Sequence, residues 1–508
     1  MSTNKPLLVN NGDWDFELLN LMDEEISKIA VGKYNLDCYP NQIEIISSDQ
    51  MLAGYSTHAL PVMYHHWKFG KTFSRERKAY QKGHMGLAYE VVTNTNPCIS
   101  YLMEQNSATM QCLVIAHACY GHNSFFKNNY LFKQWTDAEN IIDFLIYANK
   151  YIAECEVKYG EKAVEELLDS CHTLETFGFD RVKRVRDKSE KEKKMRLEER
   201  DDYYQSRISE LWPVPENRPS LLTKTNATQR KQLMLPEPEE NILLFLEKNS
   251  PTLLTWQREI VRIVRKISQY FWPQFQTKVA NEGWASFWHY HLMNELYDNG
   301  MITEGSMLEF FRSHSGVVYQ REMDDPHYNG INPYALGINI FQDIKRICEN
   351  PTGEDKQWFP HLIGNSWQEV LDDAMKNYKD ESFILQFLSP KVIRDMKLAA
   401  IEDNPLKDSH HYIVSETHDD EGYRNIRHKL AKQNDVHTTL PRILVEDIDL
   451  DGDRTLYLRH NRYNMVPLDL PMAMEAILHV RRLWGFRVVL SSYNGDKDTK
   501  AAQMIFSE

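Results

Sequence analysis

The chain has 508 residues, 42% apolar and 26% charged, which is enough for roughly two to four domains with large cores. Its formal net charge of −14 argues against general binding to nucleic acids or anionic membranes. The seven cysteines include no Cys-x-x-Cys pair, the first residues do not resemble a secretory signal, and no apolar run is long enough to span a membrane. These features predict a globular protein of the cytoplasm with reduced thiols.

Helical periodicity dominates residues 100–180 and 241–400. The clearest example is an apolar residue at every third or fourth position, at Ile141, Leu145, Ala148, Ile152 and Cys155. This spacing predicts one buried face of a helix. We therefore expect a mainly α-helical domain that comprises residues 1–180 and 241–405.

Prolines mark several expected helix boundaries. Asn332-Pro333 and Ser389-Pro390 each combine a capping residue with a proline at the first helical position, so helices are predicted to begin there. Pro273 is expected to end the helix before it, and the next helix is expected to begin near Lys278.

Residues 181–240 differ in composition from their surroundings. Runs of lysine, arginine and glutamate come first, and five prolines follow with few apolar residues between them. This composition predicts a charged, Pro-rich insertion or linker. Binding of nucleic acid through the basic residues of 181–196 is disfavoured, because glutamates are interspersed among them and the whole chain is acidic.

Residues 406–508 change character and predict a small α/β module. The expected elements are a strand at 412–414, a helix at 421–432, strands at 444–450 and 455–459, a helix that ends at Gly485, and a strand at 486–490. The order β-α-β-β-α-β is that of a split βαβ, ferredoxin-like module. We therefore expect a four-stranded antiparallel sheet with two helices on one face.

Two stretches place imidazoles and a carboxylate inside apolar helices. His117 and His122 follow the apolar run 112–116, and Glu282 and His289 lie seven positions apart, on one face of an expected helix. A glutamate in such a helix is costly to bury unless it is paired or bound to a metal. We therefore predict that His117, His122 and Glu282 hold one ion, with His289 as a fourth ligand or a hydrogen-bond partner of a ligand. Zinc is the ion expected from these donors, with iron or manganese as alternatives.

Other interpretations of these residues stay open at this stage. Five positions correspond to about 140° around an ideal α-helix, so the two histidines would diverge unless the helix is distorted near Gly121. They would then be hydrogen-bonded histidines of the core. Glu282 could instead form a salt bridge with Arg258 or Arg262.

A hydrolytic site would also need a general base. Glu90 and Glu104 are the candidates, and His65, His66 and His291 could complete the site, although each also suits an ordinary structural role.

Asn281-Glu282-Gly283-x-Ala285 resembles the motif through which gluzincin metallopeptidases supply their third zinc ligand, a glutamate. The His-Glu-x-x-His half of that pattern is missing, since Ala118 stands where the catalytic glutamate would follow the first histidine.

The chain also contains several longer motifs. They are His65-x-Trp67-x-Phe69-Gly70-Lys71, Leu87-Ala88-Tyr89-Glu90, Asn96-Pro97-Cys98, His117-Ala118-x-x-Gly121-His122-Asn123-Ser124-Phe125-Phe126-Lys127-Asn128-Asn129, Asn281-Glu282-Gly283-Trp284-Ala285 and Asn332-Pro333-Tyr334-x-Leu336-Gly337. With these motifs the chain, from about residue 13 to about residue 490, closely resembles the stage V sporulation protein R family, in its enterobacterial type.

This resemblance implies a role in spore-cortex formation in sporulating species and in stress or stationary phase elsewhere. It also implies two partners, a PrkA-type serine kinase and a von Willebrand A-like protein. Two functions are therefore expected from the sequence: a gluzincin-like, zinc-dependent hydrolase, or a non-catalytic partner or scaffold protein that acts with the kinase.

Overall fold

The computed structural model describes most of the chain. The described residues are 6–9, 12–57, 60, 62–82, 90–181, 195, 238–323, 325, 327–399, 401–403, 412–414, 418–449, 452–462, 466–494 and 499–506. Nearly all of the expected insertion at 181–240 therefore lies outside the described residues, and its prediction stays a prediction.

The structure is mainly helical, as the periodicity predicts. The first group of elements is α1 (Phe16–Ala30), β1 (Asn41–Ile46), α2 (Ser48–Ser56), α3 (Trp67–Gln81), β2 (Glu90–Thr93), β3 (Cys98–Met103), α4 (Ala108–Val114), a π-helix (Ile115–His122), α5 (Asn123–Asn128), α6 (Tyr130–Trp135), α7 (Ile141–Tyr159), α8 (Glu161–Thr173) and a 3₁₀ turn (Glu175–Phe177). The second group, after residue 240, is α9 (Ile242–Asn249), α10 (Thr255–Gln276), α11 (Lys278–Asp298), α12 (Glu304–Val317), α13 (Pro333–Glu349), α14 (Gly353–Trp358), α15 (Trp367–Asn377), α16 (Asp380–Phe387) and α17 (Pro390–Asp395). The last group is β4 (Ile401–Asp403), β5 (Tyr412–Val414), α18 (Asp420–Gln433), α19 (Val436–Thr439), β6 (Arg442–Ile448), β7 (Leu456–Arg462), α20 (Leu470–Trp484), β8 (Val488–Asn494) and β9 (Thr499–Phe506).

The chain divides into two compact units. The first unit comprises residues 1–151 and 270–435, and the second comprises 152–269 and 436–508. This division differs from the expected domains, because residues 152–180 and 241–269 belong with the C-terminal sheet and residues 406–435 do not.

Helix boundaries in the first unit follow the capping residues. Asn332 accepts a hydrogen bond from the backbone N–H of Tyr334 with Pro333 at the first helical position, and Ser389 caps α17 in the same way, as predicted. Helix α11 begins at Lys278, also as predicted. The expected end at Pro273 is wrong, because α10 continues through this proline to Gln276.

The core of the first unit surrounds α11. This helix packs against α13 and against the π-helix, and its buried side chains include Trp284, Phe287 and Trp288. A small three-stranded sheet of order β1-β3-β2 lies in the same unit, with β1 parallel and β2 antiparallel to β3. Strand β3 leads into α4, and α4 continues directly into the π-helix.

The C-terminal sheet belongs to the second unit and has the order β6-β7-β8-β9. Strands β6 and β7 form an antiparallel pair, α20 connects β7 to the parallel neighbour β8, and β9 pairs antiparallel with β8. Helix α20 ends at Gly485 in the left-handed conformation, as predicted.

The order of this sheet differs from the expected ferredoxin-like arrangement. The strand at 412–414 pairs with β4 in a separate two-stranded sheet. Helix α18 buries Tyr423, Ile426 and Leu430 in the core of the first unit, so its apolar face is not available to the C-terminal sheet.

No helix among the described residues is both long enough and apolar enough to cross a membrane.

Candidate metal centre

The π-helix explains how two histidines five positions apart come together. In a π-helix the backbone hydrogen bonds join residues i and i+5, so such residues lie one turn apart on one face. The rings of His117 and His122 are accordingly only 4.6 Å apart between centroids, and both side chains are buried. The distortion allowed at Gly121 therefore extends over the whole segment Ile115–His122.

Close helix packing sets the position of this segment. A Cβ atom at Gly121 would lie 2.6 Å from the Cα of Ala285, so the π-helix and α11 touch at a point where only glycine fits. Helices α11 and α13 meet in the same way, because a Cβ at Gly337 would lie 2.6 Å from the Cα of Gly283. These contacts hold the start of α11, and with it Glu282, against the two histidines.

The two histidines and Glu282 form one cluster. The Oε2 atom of Glu282 lies 3.4 Å from the Nε2 of His122 and 3.9 Å from the Nε2 of His117. One donor atom from each residue lies within 4.8 Å of the others. Two ligands of a tetrahedral zinc ion are about 3.3 Å apart when each bond is about 2.0 Å. The cluster therefore needs only small side-chain movements to surround an ion.

The histidines are held through the nitrogen that faces away from Glu282. His122 contacts the Oδ1 of Asn281 through Nδ1 at 2.9 Å, and His117 contacts the Nδ1 of His289 through Nδ1 at 2.8 Å. Each of the two histidines thus has its Nε2 directed towards the carboxylate. Hydrogen bonds of this kind fix the orientation and tautomer of metal-binding histidines.

The structure places His289 behind the cluster. Its Nδ1 contacts His117, and its Nε2 lies 2.7 Å from the Nδ1 of His314, so both of its ring nitrogens are engaged. Of the two predicted roles, this geometry fits a hydrogen-bond partner of a ligand and does not fit a fourth ligand. His314 was not singled out in the sequence, because a lone histidine on a helix gives no signal.

Glu282 is the member of the cluster with a carboxylate oxygen that lacks a hydrogen-bond partner among the described residues. Its Oε2 atom is buried and has no hydrogen-bond partner of good geometry among the described residues. A buried carboxylate oxygen without a partner is costly, and a bound cation removes that cost. The alternative salt bridges do not form, since Arg258 donates to the carbonyls of Glu247 and Ser250 and Arg262 pairs with Glu259.

The two candidate bases lie in different surroundings. The Oε1 of Glu90 is 3.6 Å from the Nε2 of His117, and burial raises the pKa of Glu90 to about 7. Glu104 lies in an exposed turn, where its carboxylate accepts a hydrogen bond from Gln105. Of these two residues the structure brings only Glu90 to the cluster.

Tyr334 is a further member of the site that the sequence did not identify. It follows Asn332-Pro333 at the start of α13, and its hydroxyl is hydrogen-bonded to Glu282. Burial, together with the charges of Glu282 and Glu90, raises the pKa of Tyr334. Its place in the motif Asn332-Pro333-Tyr334 was a signal, but the motif could equally mark a helix start.

The electrostatics of the two histidines differ. Burial lowers the pKa of His117 well below its usual value, and the nearby His122 and His289 act in the same direction. Burial also disfavours the charged form of His122, but the negative charges of Glu282 and Glu90 and the contact with Asn281 together outweigh it and raise the pKa. A neutral imidazole is the form that binds a metal, so an ion would compete with a proton mainly at His122.

A cavity of about 690 Å³ reaches the cluster. Glu90, His117 and Tyr334 are among the residues that line it, together with His289 and His314. The remaining lining comes mainly from residues 313–334, between the end of α12 and the start of α13. A molecule of the size of a short peptide could therefore approach the candidate centre.

The other histidines considered in the sequence lie elsewhere. His291 contacts the Nζ of Lys345 at 2.9 Å and stacks on Phe287. His66 caps α3 by accepting a hydrogen bond from the backbone N–H of Lys68, and His65 is exposed. None of these three contributes to the candidate cluster of the described residues.

The fold and the cluster together define a mainly helical protein in which two histidines and a glutamate form a candidate metal centre. Residues 13–439 match the family model described as SpoVR like protein, and residues 441–495 match that of the SpoVR-like C-terminal domain. The chain therefore belongs to the SpoVR family.

One relative is the Escherichia coli (strain K12) protein YcgB, which is named as uncharacterized. It is 52% identical over 497 residues, which cover 98% of this chain and 96% of the relative. No solved structure matches the chain.

Proposed function

We propose that this protein is a metal-dependent hydrolase, related in its chemistry to the gluzincins, that cleaves an amide or a similar bond. The observation that carries this proposal is the cluster of His117, His122 and Glu282, in which the Oε2 of Glu282 is buried without a hydrogen-bond partner among the described residues. Zinc suits two imidazole nitrogens and a carboxylate, with iron or manganese as alternatives.

The chain supplies the other groups that hydrolysis requires. A divalent ion in such a site polarises a carbonyl oxygen and lowers the pKa of a water molecule. Glu90, with its pKa raised to about 7, is suited to accept a proton from the attacking water and to return it to the leaving nitrogen. The hydroxyl of Tyr334 is a donor beside Glu282 and can hydrogen-bond an oxygen that gains negative charge.

Substitution of the two predicted bases tests this proposal. The zinc-loaded protein would be assayed against a panel of fluorogenic peptide and amide substrates, with metal content measured in parallel. We expect Glu90→Gln to keep the metal but to lower turnover at least about a hundredfold, because it removes the proton acceptor. Glu104→Gln is the matched control and should retain full activity, since Glu104 is exposed and lies in a turn.

A second candidate function rests on a different observation. Ala118, which is buried, stands at the position where the gluzincin pattern has its catalytic glutamate. This favours a non-catalytic partner or scaffold protein that acts with a PrkA-type serine kinase and a von Willebrand A-like protein. Absence of turnover in the metal-loaded protein, together with binding of the purified kinase, would support this candidate over the hydrolase. Under either candidate, the family suggests a role in sporulation or in the stationary-phase stress response. We propose that the protein acts in the cytoplasm.

A further inference from the structure

A second cavity of about 450 Å³ lies in the first unit beside the cavity that reaches the cluster. The two share a wall formed by Lys278 and by Gly330, Ile331 and Pro333 of the segment before α13. A molecule that reacts at the candidate metal centre could therefore extend past this shared wall into the second cavity.

The lining of the second cavity combines apolar side chains with two lysines. Much of it is formed by Ile331, Leu336, Leu398, Ile426 and Leu430. Lys278 and Lys429 are the charged residues in the described lining, and no carboxylate is among them. This combination suits a ligand with an apolar group beside an anionic group.

Lys278 is the charge at the junction of the two cavities. It is the first residue of α11, four positions before Glu282, and its side chain is exposed. Its ammonium forms no ion pair within 4.0 Å among the described salt bridges. Lys278 interacts electrostatically with Asp380, whose carboxylate accepts hydrogen bonds from the backbone N–H groups of Val279 and Ala280.

The local charge contrasts with that of the whole chain. A net charge of −14 repels anions at long range, so binding of an anion requires a local positive site. We propose that the second cavity binds the part of the substrate beyond the reacting bond, and that this part carries a carboxylate paired with Lys278 and an apolar side chain. This inference rests on the proposed hydrolase function and names its substrate class.

A peptide with an apolar C-terminal residue combines both features. Its terminal carboxylate lies next to the side chain that would enter the apolar lining, and the bond to be cleaved is one residue away. An acidic side chain inside a longer peptide supplies the same carboxylate chemistry. Blocking the C-terminus of the peptide abolishes binding through the terminal carboxylate and leaves binding through an acidic side chain intact.

Calorimetric titration of the full chain with small probes tests the inference. The probes are N-acetylleucine, N-acetylleucinamide and N-acetyl-glutamyl-leucinamide, which carry a terminal carboxylate, no carboxylate and a side-chain carboxylate. We expect N-acetylleucine to bind at least about fivefold more tightly than the amide, since a charged hydrogen bond is lost in the amide. Tighter binding of the glutamyl probe than of N-acetylleucine would identify the side chain as the source.

Variants separate this site from the metal centre. Lys278→Met should remove the preference for a carboxylate, whereas Lys133→Met, at an exposed lysine of α6, should retain it. The same preference should persist in Glu282→Ala, in which a carboxylate has no bound ion to ligate. Equal binding of all probes, no binding of any probe, or a preference that survives Lys278→Met would overturn the inference. Failure of the hydrolase proposal would instead appear as absent turnover with the binding preference intact.

Discussion

The C-terminal sheet and the candidate metal centre differ in the hydrogen bonding of their buried polar groups. In the sheet, the Nδ1 of His460 lies 2.9 Å from the hydroxyl of Ser492. Beside it, the indole N–H of Trp484, at the end of α20, donates to the carbonyl of Arg454. In the centre, the Oε2 of Glu282 is buried with no hydrogen-bond partner among the described residues, although two histidines face it.

This difference separates a region built for stability from one built to bind. Buried polar groups that are fully hydrogen-bonded cost little, whereas a buried carboxylate oxygen without a partner lowers stability and persists where a ligand compensates for it. The close glycine contacts around α11 show that the arrangement at the centre is held in place by the packing of several helices.

The largest effect is expected from removal of the carboxylate at the centre. Glu282→Ala should weaken zinc binding at least about a thousandfold, because it removes one of three protein ligands. It should also abolish the rise in melting temperature that zinc causes in the unaltered protein, since that rise reflects binding to the folded state. Calorimetric titration and thermal unfolding with and without zinc measure both effects.

Glu295→Ala is the matched control on the same helix. Glu295 pairs with Lys33 and Tyr34, away from the cluster, so its loss should leave zinc binding unchanged. Equal zinc affinity in Glu282→Ala and in the control would contradict the proposed ligand set.

The next effect concerns the packing that holds α11. A Cβ at Gly337 would lie 2.2 Å from the carbonyl oxygen of Val279, so Gly337→Ala forces two helix backbones apart. We expect a loss of about 3 kcal/mol in the free energy of unfolding, measured by denaturant titration. Gly305→Ala, in α12, has open space around the new methyl group and should change stability by less than about 1 kcal/mol. Similar stability of the two variants would show that the close approach is not required.

A smaller effect is expected from the histidine behind the cluster. His289→Asn removes a hydrogen-bond partner of His117, and substitution of such partners typically lowers metal affinity 10- to 100-fold, about 1.4 to 2.7 kcal/mol. His291→Asn, two positions further along α11, should leave the affinity unchanged, since His291 contacts Lys345. If His289 were itself a ligand, the loss would approach that of Glu282→Ala.

The smallest effect is a pH dependence within the sheet. Burial lowers the pKa of His460 to about 4, below the value of about 6.5 in an unfolded chain. Its contribution to stability is therefore complete above about pH 6.5 and is lost as the pH falls towards 4. His460→Asn should thus lose less stability than the unaltered protein between pH 7 and pH 5. After allowance for solvent screening the difference is about 1 kcal/mol. Identical pH profiles would mean that His460 is not held neutral by burial.

Much of the helical structure could be predicted, because it depends on local signals. Asn332-Pro333, Ser389-Pro390 and Gly485 mark helix ends through hydrogen bonds and backbone conformations that the residues themselves favour. The order of the C-terminal sheet could not be predicted in this way. Helix α18 has an apolar face that suits either unit, and only the tertiary structure shows that it packs in the first.

The candidate site was predicted in its residue types and only partly in its geometry. The cost of burial and the resemblance to the gluzincin glutamate motif pointed to Glu282 and the two histidines. The π-helix could not be derived from the sequence, because Gly121 signals a distortion without giving its length. Tyr334 and His314 join the site through contacts between distant parts of the chain, which no local pattern reveals.

X-ray absorption at the zinc edge of the loaded protein tests the central claim most directly. One equivalent of zinc held by His117, His122 and Glu282 should show nitrogen and oxygen ligands at about 2.0–2.2 Å, with the multiple scattering of two imidazoles. The same spectrum should be lost in Glu282→Ala. All seven cysteines are free thiols, so zinc bound to any of them would show a sulfur ligand at about 2.3 Å. A sulfur ligand, or a spectrum unchanged by Glu282→Ala, would contradict the proposed centre.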